Sequence, residues 1–385
     1  MKTIYLDNAA TSWPKAPTVA ESVASFITNS SVNIGRGSYE RAYEVALEVD
    51  NCRNKLATFF GSEESRNVVF ALNVTHALNT LIVGLFTKED HVLVSGMEHN
   101  AVMRPLTTLK IPYSIIPCNL EGEVFVDQIK PLIKKNTKAI IITQASNVSG
   151  TIQPIRNVAS IARENNLLII VDAAQAPLDS TLSLTKDCLD AIAFTGHKSL
   201  LGPQGVGGLV LSNQLAKDIK VTITGGTGSK SDLLEMPQFL PDKFEVGTQN
   251  LPGIVGLSSA LTFIEQNKDK IVKHEKRLTE MLLNYFLSDQ RINVIGPKTT
   301  KGRTSVISVD FPSLDNSEVA DHLYLDSKIE CRVGLHCAPI AHKTLNTFPK
   351  GTVRFSLGYS TSEEDILKCI DSCKRVLDKR STPKN

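Results

Sequence analysis

Short apolar runs recur through the first 212 residues, and they constrain the fold more than any other feature of the sequence. Several are apolar at consecutive positions, as in strands covered on both faces, and helix-like stretches such as 76–87 and 154–166 lie between them. The runs are VVFA (68–71), HVLVSG (91–96), YSIIPC (113–118), AIIITQA (139–145), LLIIVDAA (167–174), AIAFTG (191–196) and VGGLVLS (206–212). This alternation predicts an α/β fold with a mostly parallel, seven-stranded sheet.

The last third of the chain has a different pattern. A charged amphipathic helix around 257–288 precedes two short strands at 305–311 and 352–358, and Ser362 is a suitable N-cap for a final helix. The change predicts two domains. They are a large domain at 15–260 and a smaller α+β domain at 261–385, with segment 1–14 packing near the smaller one.

Composition excludes several classes of function. The 42 basic residues nearly balance the 40 acidic residues, so the net charge of +2 gives no reason to expect a nucleic-acid or membrane-surface partner. No apolar run reaches the roughly 18 residues of a membrane span, and the N-terminus lacks the apolar region of a secretory signal. The seven scattered cysteines do not resemble a disulfide framework. We therefore expect a cytoplasmic protein with reduced thiols.

Polar residues follow two of the predicted strands. Asp172 ends one strand, and His197 and Lys198 follow the next. An aspartate at a strand end often only caps a turn. However, ligands of open α/β sheets bind beyond the carboxyl ends of the strands, and pyridoxal 5'-phosphate (PLP) requires both a Schiff-base lysine and a carboxylate for its ring nitrogen. The pair therefore indicates a PLP site.

Two further strand ends carry residues that suit such a cofactor. The segment from Asn73 to His76 starts a helix, where free N–H groups and the hydroxyl of Thr75 favour an anion. A threonine there is more often only a cap. His99 follows the next strand and could stack on a flat ring, although a lone histidine is more often an ordinary polar surface residue. The combination strengthens the prediction.

The chain resembles the class V aminotransferase superfamily of fold-type I PLP enzymes, and it is most similar to Suf-type cysteine desulfurases and selenocysteine lyases. The resemblance covers essentially the whole chain. The motifs that carry it are LDNAAT (6–11), NVTHALN (73–79), MEHNA (97–101), SNVSG (146–150), VDAAQ (171–175), TGHKSLLGPQGVGGL (195–209), FEVGTQN (244–250), RVGLHCAP (332–339) and VRFSLGYST (353–361).

This resemblance implies a set of site residues. Lys198 would bind PLP, Asp172 would pair with its ring nitrogen, and Gln175 would donate to its ring hydroxyl. His99 would stack on the ring, and Asn147 would lie near the substrate and the cofactor edge. The remaining cofactor residues would be Thr75, His76, Thr195 and His197, with Thr248 from the second subunit of a homodimer. Substrate would be bound by Arg354, Asn147 and Arg332.

Cys337 distinguishes between branches of the superfamily. Desulfurases use a cysteine in a motif like RVGLHCAP to take the substrate sulfur as a persulfide. The alternatives are a small core residue, or a metal ligand with His336 and His342, but this spacing lacks the paired C-x-x-C of structural zinc sites. Leu335 replaces a histidine that is common in the family's motif, which leaves the substrate and the sulfur acceptor open. Cys331 is also close to the motif.

The sequence therefore predicts a PLP-dependent cysteine desulfurase that makes L-alanine from L-cysteine or a close analogue. Its catalytic residues would be Lys198, Cys337, His99 and Asp172, without a metal. A sulfur-acceptor protein is a possible partner. The alternatives are a selenocysteine lyase, another C–S lyase or aminotransferase, and an inactive PLP-binding partner protein.

Overall fold

A computed structural model describes residues 3–35, 37–176, 178–180 and 182–381, and the side chains of Arg380 and Ser381 lie outside this description. The strands are β1 Ile4–Tyr5, β2 Val68–Ala71, β3 His91–Ser95, β4 Tyr113–Ile116, β5 Thr137–Thr143, β6 Leu168–Asp172, β7 Ala191–Thr195, β8 Gly207–Leu211, β9 Asn293–Ile295, β10 Val306–Asp310, β11 Ile329–Glu330, β12 Arg332–Gly334 and β13 Thr352–Ser356. The α-helices are α1 Val19–Ser25, α2 Glu40–Phe59, α3 Val74–Leu85, α4 Asn100–Thr108, α5 Ile155–Glu164, α6 Asn213–Asp218, α7 Leu251–Ser288, α8 Asn316–Ser327, α9 Pro339–Thr344 and α10 Glu363–Ser381.

The central sheet contains seven strands in the order β2-β8-β7-β6-β5-β3-β4. β8 runs antiparallel to both of its neighbours, and the other adjacent pairs are parallel. All seven predicted strands therefore occur, and the prediction of a mostly parallel α/β sheet is confirmed.

Helices cover both faces of this sheet, which explains the continuous apolar runs in the sequence. In β5, Ile140 and Ile142 pack into one core, whereas Ile141 packs into the core on the opposite face. The first core includes residues of α2, α5 and α7, and the second includes residues of α3 and α4. Since neither face of the inner strands meets water, neither face of them needs alternating polar residues, whereas Tyr113 and Ile115 of the edge strand β4 are exposed.

A second, antiparallel sheet has the order β12-β13-β10-β9 and packs with α8, α10 and the last part of α7. The N-terminal strand β1 pairs in parallel with β11. The predicted domain boundary at residue 260 lies inside α7, which extends from the first core to that of the second sheet. The division into domains remains a prediction.

The helix α7 begins earlier than the sequence pattern indicated. Asn250 caps it by accepting the N–H of Gly253, and Pro252 occupies its first turn. Gly253 and Gly256 weakened the helical pattern, but Gly256 is needed for close packing, because a Cβ there would lie 2.8 Å from atoms of Pro203 and Val23.

None of the described helices is both long and apolar enough to span a membrane.

A buried ion pair joins the segment before α7 to the central sheet. Arg53 Nη1 donates to Glu245 Oε1 at 2.6 Å, and the same carboxylate oxygen accepts the Phe70 N–H at 2.7 Å. Both charged side chains are less than 10% exposed, at 7% and 9%. The pair therefore connects α2 and β2 to a segment distant in sequence.

We expect Glu245→Ala to lower the free energy of unfolding by about 3–5 kcal/mol, because it leaves a buried guanidinium without its carboxylate. Urea unfolding followed by circular dichroism measures the change. The matched control is Glu363→Ala, which removes an exposed carboxylate from Arg277 and should cost at most about 1 kcal/mol. Equal losses in the two variants would contradict a special role for the buried pair.

Candidate active site

The carboxyl ends of the parallel strands converge on one edge of the central sheet, beside a cavity of about 440 Å³. A cavity of this size accommodates a small organic cofactor. The turns after β2, β3, β5, β6 and β7 supply most of its wall. The lining residues are Asn73, Val74, Thr75, His99, Thr143, Ala145, Asn147, Asp172, Ala174, Gln175, Thr195, His197 and Lys198.

Most of the cofactor residues predicted from the sequence line this cavity. They are Thr75, His99, Asn147, Asp172, Gln175, Thr195, His197 and Lys198. His76 and Thr248 do not line it. Nδ1 of His76 lies 3.4 Å from the backbone N–H of Leu72, and Thr248 is exposed in the segment before α7. The roles of all these residues remain predictions.

Lys198 lies in the turn after β7, and the N-terminal segment holds this turn in place. The carbonyl oxygen of the preceding residue, His197, accepts the Ser12 N–H and Lys15 Nζ, each at 2.9 Å. Burial lowers the pKa of Lys198 to about 8, while Asp172 opposes this shift. A lysine with a lowered pKa has a useful neutral fraction at physiological pH and can act as a nucleophile or a base.

Asp172 is the last residue of β6 and is buried. Its Oδ1 accepts the N–H of Ala174 at 2.9 Å. Burial raises the pKa of Asp172, whereas the Ala174 N–H and the charge of Lys198 lower it. The carboxylate thus has an orienting hydrogen bond and a cationic partner in the same cavity.

A second buried carboxyl group, Glu98, was not singled out from the sequence. Its Oε1 accepts the Thr143 N–H at 2.8 Å and the Ser95 hydroxyl, while Oε2 has no hydrogen-bond partner among the described residues. Burial, with a smaller contribution from the charge of Asp172, raises the pKa of Glu98 to about 8. Glu98 is therefore mostly protonated at neutral pH, which avoids two adjacent buried negative charges. The sequence feature that could have identified Glu98 is its position as a charged residue just after the apolar run at 91–96.

His99 is the N-cap of α4, and its Nδ1 accepts the Ala101 N–H at 3.0 Å. Because this lone pair is used, the neutral ring carries its proton on Nε2. Burial, with a smaller contribution from the charge of Lys198, lowers the pKa of His99 to about 4. The ring is neutral at physiological pH and suits stacking on a flat conjugated molecule.

The wall of the cavity also suits a phosphate group. The Thr195 hydroxyl is buried and has no hydrogen-bond partner among the described residues. Thr75 lies in the first turn of α3, where the N–H groups of the helix favour an anion. Thr75 and Thr195 thus suit the phosphate of PLP, while Lys198 suits its carbonyl carbon and Asp172 suits its ring nitrogen.

Arg354 lies in β13 and is buried, but it does not line the cavity. Its Nη2 donates to Asp7 Oδ1 at 2.8 Å, and its Nη1 donates to the Asn147 carbonyl oxygen at 3.0 Å. Its Nε has no hydrogen-bond partner among the described residues. The exposed Arg332 also donates to Asp7, at 2.8 Å. Two guanidinium groups thus share one carboxylate, and the cluster retains positive charge.

Asp7 was not among the predicted site residues. The available signal was its place in the motif LDNAAT, but no local pattern indicated which cation it would meet. The partners Arg332 and Arg354 lie 325 and 347 residues away along the chain.

Cys337 lies in the loop between β12 and α9, and it is exposed. Its carbonyl oxygen accepts the Asn100 N–H at 2.8 Å, which attaches this loop to the start of α4 beside His99. The carbonyl oxygen of the preceding residue, His336, accepts Asn147 Nδ2 at 2.7 Å, and Asn147 lines the cavity. The structure thereby places an exposed thiol beside the cavity.

Comparison with known proteins identifies related chains. Residues 4–368 match the protein family "Aminotransferase class-V". A probable cysteine desulfurase from Borreliella burgdorferi is 29% identical over 393 residues, covering 97% of this chain and 92% of that protein. A probable cysteine desulfurase from Methanothermobacter thermautotrophicus is 30% identical over 373 residues, covering 94% and 92%.

Solved structures have the same fold. The apo structure of a cysteine desulfurase from Thermococcus onnurineus NA1 superposes with a TM-score of 0.90 at 26% identity, covering 98% of this chain and 95% of that chain. The cysteine desulfurase CsdA from Escherichia coli has a TM-score of 0.84 at 23% identity, with coverage of 98% and 95%. The fold-type I architecture predicted from the sequence is confirmed.

The lowered pKa of Lys198 can be measured in the cofactor-free protein by reductive methylation with formaldehyde. We expect the rate at Lys198 to rise with pH and to reach half its maximum near pH 8, because only the neutral amine reacts. Asp172→Asn should move this midpoint to lower pH, since it removes a negative charge that raises the pKa of Lys198. Peptide mass spectrometry reports the rate, with the exposed Lys270 as an internal reference for the reagent. A midpoint that stays the same or rises in the variant would contradict this electrostatic coupling.

Proposed function

The chain belongs to the class V aminotransferase family, and we propose that it is a PLP-dependent cysteine desulfurase that converts L-cysteine to L-alanine. Enzymes of this family use PLP in general. The observation that carries the proposal is the exposed Cys337 thiol, whose loop is attached to the cavity-lining Asn147 through the carbonyl oxygen of His336. The relatives named as probable cysteine desulfurases support the same activity.

The cavity residues would hold the cofactor at both ends. Lys198 would form the covalent link to its carbonyl carbon, and Asp172 would pair with its protonated ring nitrogen. Thr75, Thr195 and His197 would bind its phosphate group. When bound, PLP supplies a sink for the electrons left at the α-carbon of an amino acid.

Two side chains would orient the ring. His99 offers a neutral aromatic face, because its pKa is lowered to about 4. Gln175 Nε2 donates to the Ala9 carbonyl oxygen at 2.8 Å, and its second N–H can donate to the ring hydroxyl. The contact with Ala9 fixes the direction of the amide.

Lys198 Nζ would remove the proton from the substrate α-carbon. Because burial lowers its pKa to about 8, part of the amine is unprotonated at neutral pH and can accept this proton. Arg354 would orient the substrate through its carboxylate, using the Nε group that has no protein partner among the described residues. Asp7 would hold the guanidinium in position through its bond to Nη2.

Cys337 would take the sulfur. Its thiolate forms an S–S bond with the substrate sulfur while the substrate carbon–sulfur bond breaks, and the electron pair of that bond stays with carbon. Protonation of the carbon yields alanine, and Cys337 is left as a persulfide. Because this thiol is exposed, an acceptor protein can reach the bound sulfur. The mechanism requires a free thiol, which agrees with a cytoplasmic location.

Cys337→Ala should lose at least 100-fold in alanine formation from L-cysteine but still exchange the substrate α-proton, because Lys198 and Cys337 act on different atoms. Alanine, sulfide in the presence of dithiothreitol, and protein-bound sulfur are measured together. The matched control is Cys188→Ala, which removes another exposed thiol and should leave turnover unchanged. Peptide mass spectrometry after a single turnover should find one extra sulfur on Cys337.

Two results would contradict this assignment. One is alanine formation by Cys337→Ala at the wild-type rate, which would indicate a lyase that needs no thiol nucleophile. The other is an extra sulfur on the half-buried Cys331 instead of Cys337.

We also propose that the enzyme is a homodimer in which Thr248 completes the phosphate site of the partner subunit. Thr248 is exposed and does not line the cavity of its own chain. The segment before it carries exposed apolar side chains, Leu233, Leu234 and Phe239, of which Leu234 is fully exposed. Such a surface is typical of a protein interface.

Mixed dimers test this arrangement. Thr248→Ala and Lys198→Ala homodimers should each bind PLP at least tenfold more weakly than wild type. Co-expressed with two different affinity tags, the mixed dimer should regain one site of wild-type affinity per dimer, because one cavity then has both native residues. A monomer in light scattering, or no recovery in the mixed dimer, would contradict the shared site.

A further inference from the structure

The backbone that carries Cys337 is held in an unusual conformation. His336 has a φ of 48° and Cys337 has a φ of 57°, both in the left-handed region that residues with a side chain seldom adopt. Two adjacent residues in this region require surrounding contacts that hold them there. Asn100 and Asn147 supply such contacts.

Two hydrogen bonds hold successive carbonyl groups of this loop. Asn147 Nδ2 donates to the His336 carbonyl oxygen at 2.7 Å, and the Asn100 N–H donates to the Cys337 carbonyl oxygen at 2.8 Å. Asn100 contributes a backbone group, whereas Asn147 contributes a side chain. A substitution can therefore remove the hydrogen bond from Asn147, but not the one from the Asn100 backbone.

Asn147 is well placed to connect the loop to the rest of the site. It is only 9% exposed, and it lines the cavity beside Lys198. Its own carbonyl oxygen accepts Arg354 Nη1 at 3.0 Å. The residue thus lies between the guanidinium proposed for the substrate carboxylate and the loop that carries the nucleophile.

The side chain of His336 has separate contacts. Its Nε2 lies 3.0 Å from the Thr352 hydroxyl, and its ring centroid lies 5.5 Å from that of His342. These contacts anchor the ring, but they do not determine the direction of the carbonyl group. That direction sets the backbone of the next residue, Cys337.

We propose that Asn147 is a positioning residue for sulfur transfer: by donating to the His336 carbonyl oxygen, its amide holds the left-handed backbone that directs the Cys337 thiol toward the cavity. The inference rests on the proposed desulfurase function for its catalytic consequence. The effect on the loop itself does not depend on that function.

The test substitution is Asn147→Asp, which keeps the shape of the side chain but replaces the N–H donor with a carboxylate oxygen that repels the carbonyl group. In the cofactor-free protein, amide hydrogen exchange in the peptide containing residues 335–338 should become at least tenfold faster at pH 7.5 after correction for intrinsic rates. At pH 5 the introduced carboxyl group is protonated to a greater extent and donates again, so exchange should return toward the wild-type rate. A merely structural loss would not be reversed in this way.

The matched control is Asn165→Asp, the same substitution at an amide that donates to the Ile161 carbonyl oxygen at 2.8 Å, away from the cavity. It should leave exchange in the loop unchanged. In the PLP-loaded enzyme, Asn147→Asp should lower the ratio of sulfur transfer to α-proton exchange at least tenfold. Asn147→Ser provides a second variant without a donor of the same reach, and it should loosen the loop at both pH values.

Loop exchange and the ratio of sulfur transfer to α-proton exchange distinguish the possible results. Unchanged loop exchange in both Asn147 variants would overturn the proposal. A parallel fall of sulfur transfer and α-proton exchange, with their ratio preserved, would also overturn it, because Asn147 would then act only on the substrate or cofactor. If wild type proves not to desulfurate cysteine, the loop exchange still decides whether Asn147 positions Cys337.

Discussion

The central sheet is covered by helices on both faces, and this burial determines where polar chemistry can occur. A charged side chain in the middle of β5 would have to enter one of two apolar cores, where Ile140, Ile141 and Ile142 pack instead. Polar groups are tolerated where the strands end. Since most of the strands are parallel, these ends meet at one edge, which brings Asp172 and Lys198 into one cavity.

The charges at this edge compensate one another. Lys198 faces Asp172, and Asp7 lies between the guanidinium groups of Arg332 and Arg354. The second buried acid, Glu98, is kept mostly protonated by a pKa raised to about 8. This arrangement limits the cost of burying charge, and the cluster of Asp7, Arg332 and Arg354 retains positive charge.

The N-terminal segment connects both halves of the site. Asp7 pairs with Arg354 in the second sheet, while Ser12 and Lys15 bind the carbonyl oxygen of His197 next to Lys198. The N-terminal segment therefore fixes the position of Lys198, which follows a strand of the central sheet, relative to Arg354, which lies in the second sheet. The proposed reaction would depend on these fixed positions, because each of the groups would act on a different substrate atom.

Local patterns along the chain were sufficient to predict the central strands and the polar residues that follow them. Apolar runs predicted all seven central strands because burial on both faces leaves a continuous pattern, and the turns after them identified Asp172 and Lys198. The pairing of distant groups, Asp7 with Arg354 and Asn147 with the loop of Cys337, could not be predicted from these patterns. The tertiary structure also placed His76 outside the cavity lining, although the residue shares a motif with Thr75. Secondary structure follows from neighbours along the chain, whereas these contacts depend on packing between segments separated by up to 347 residues.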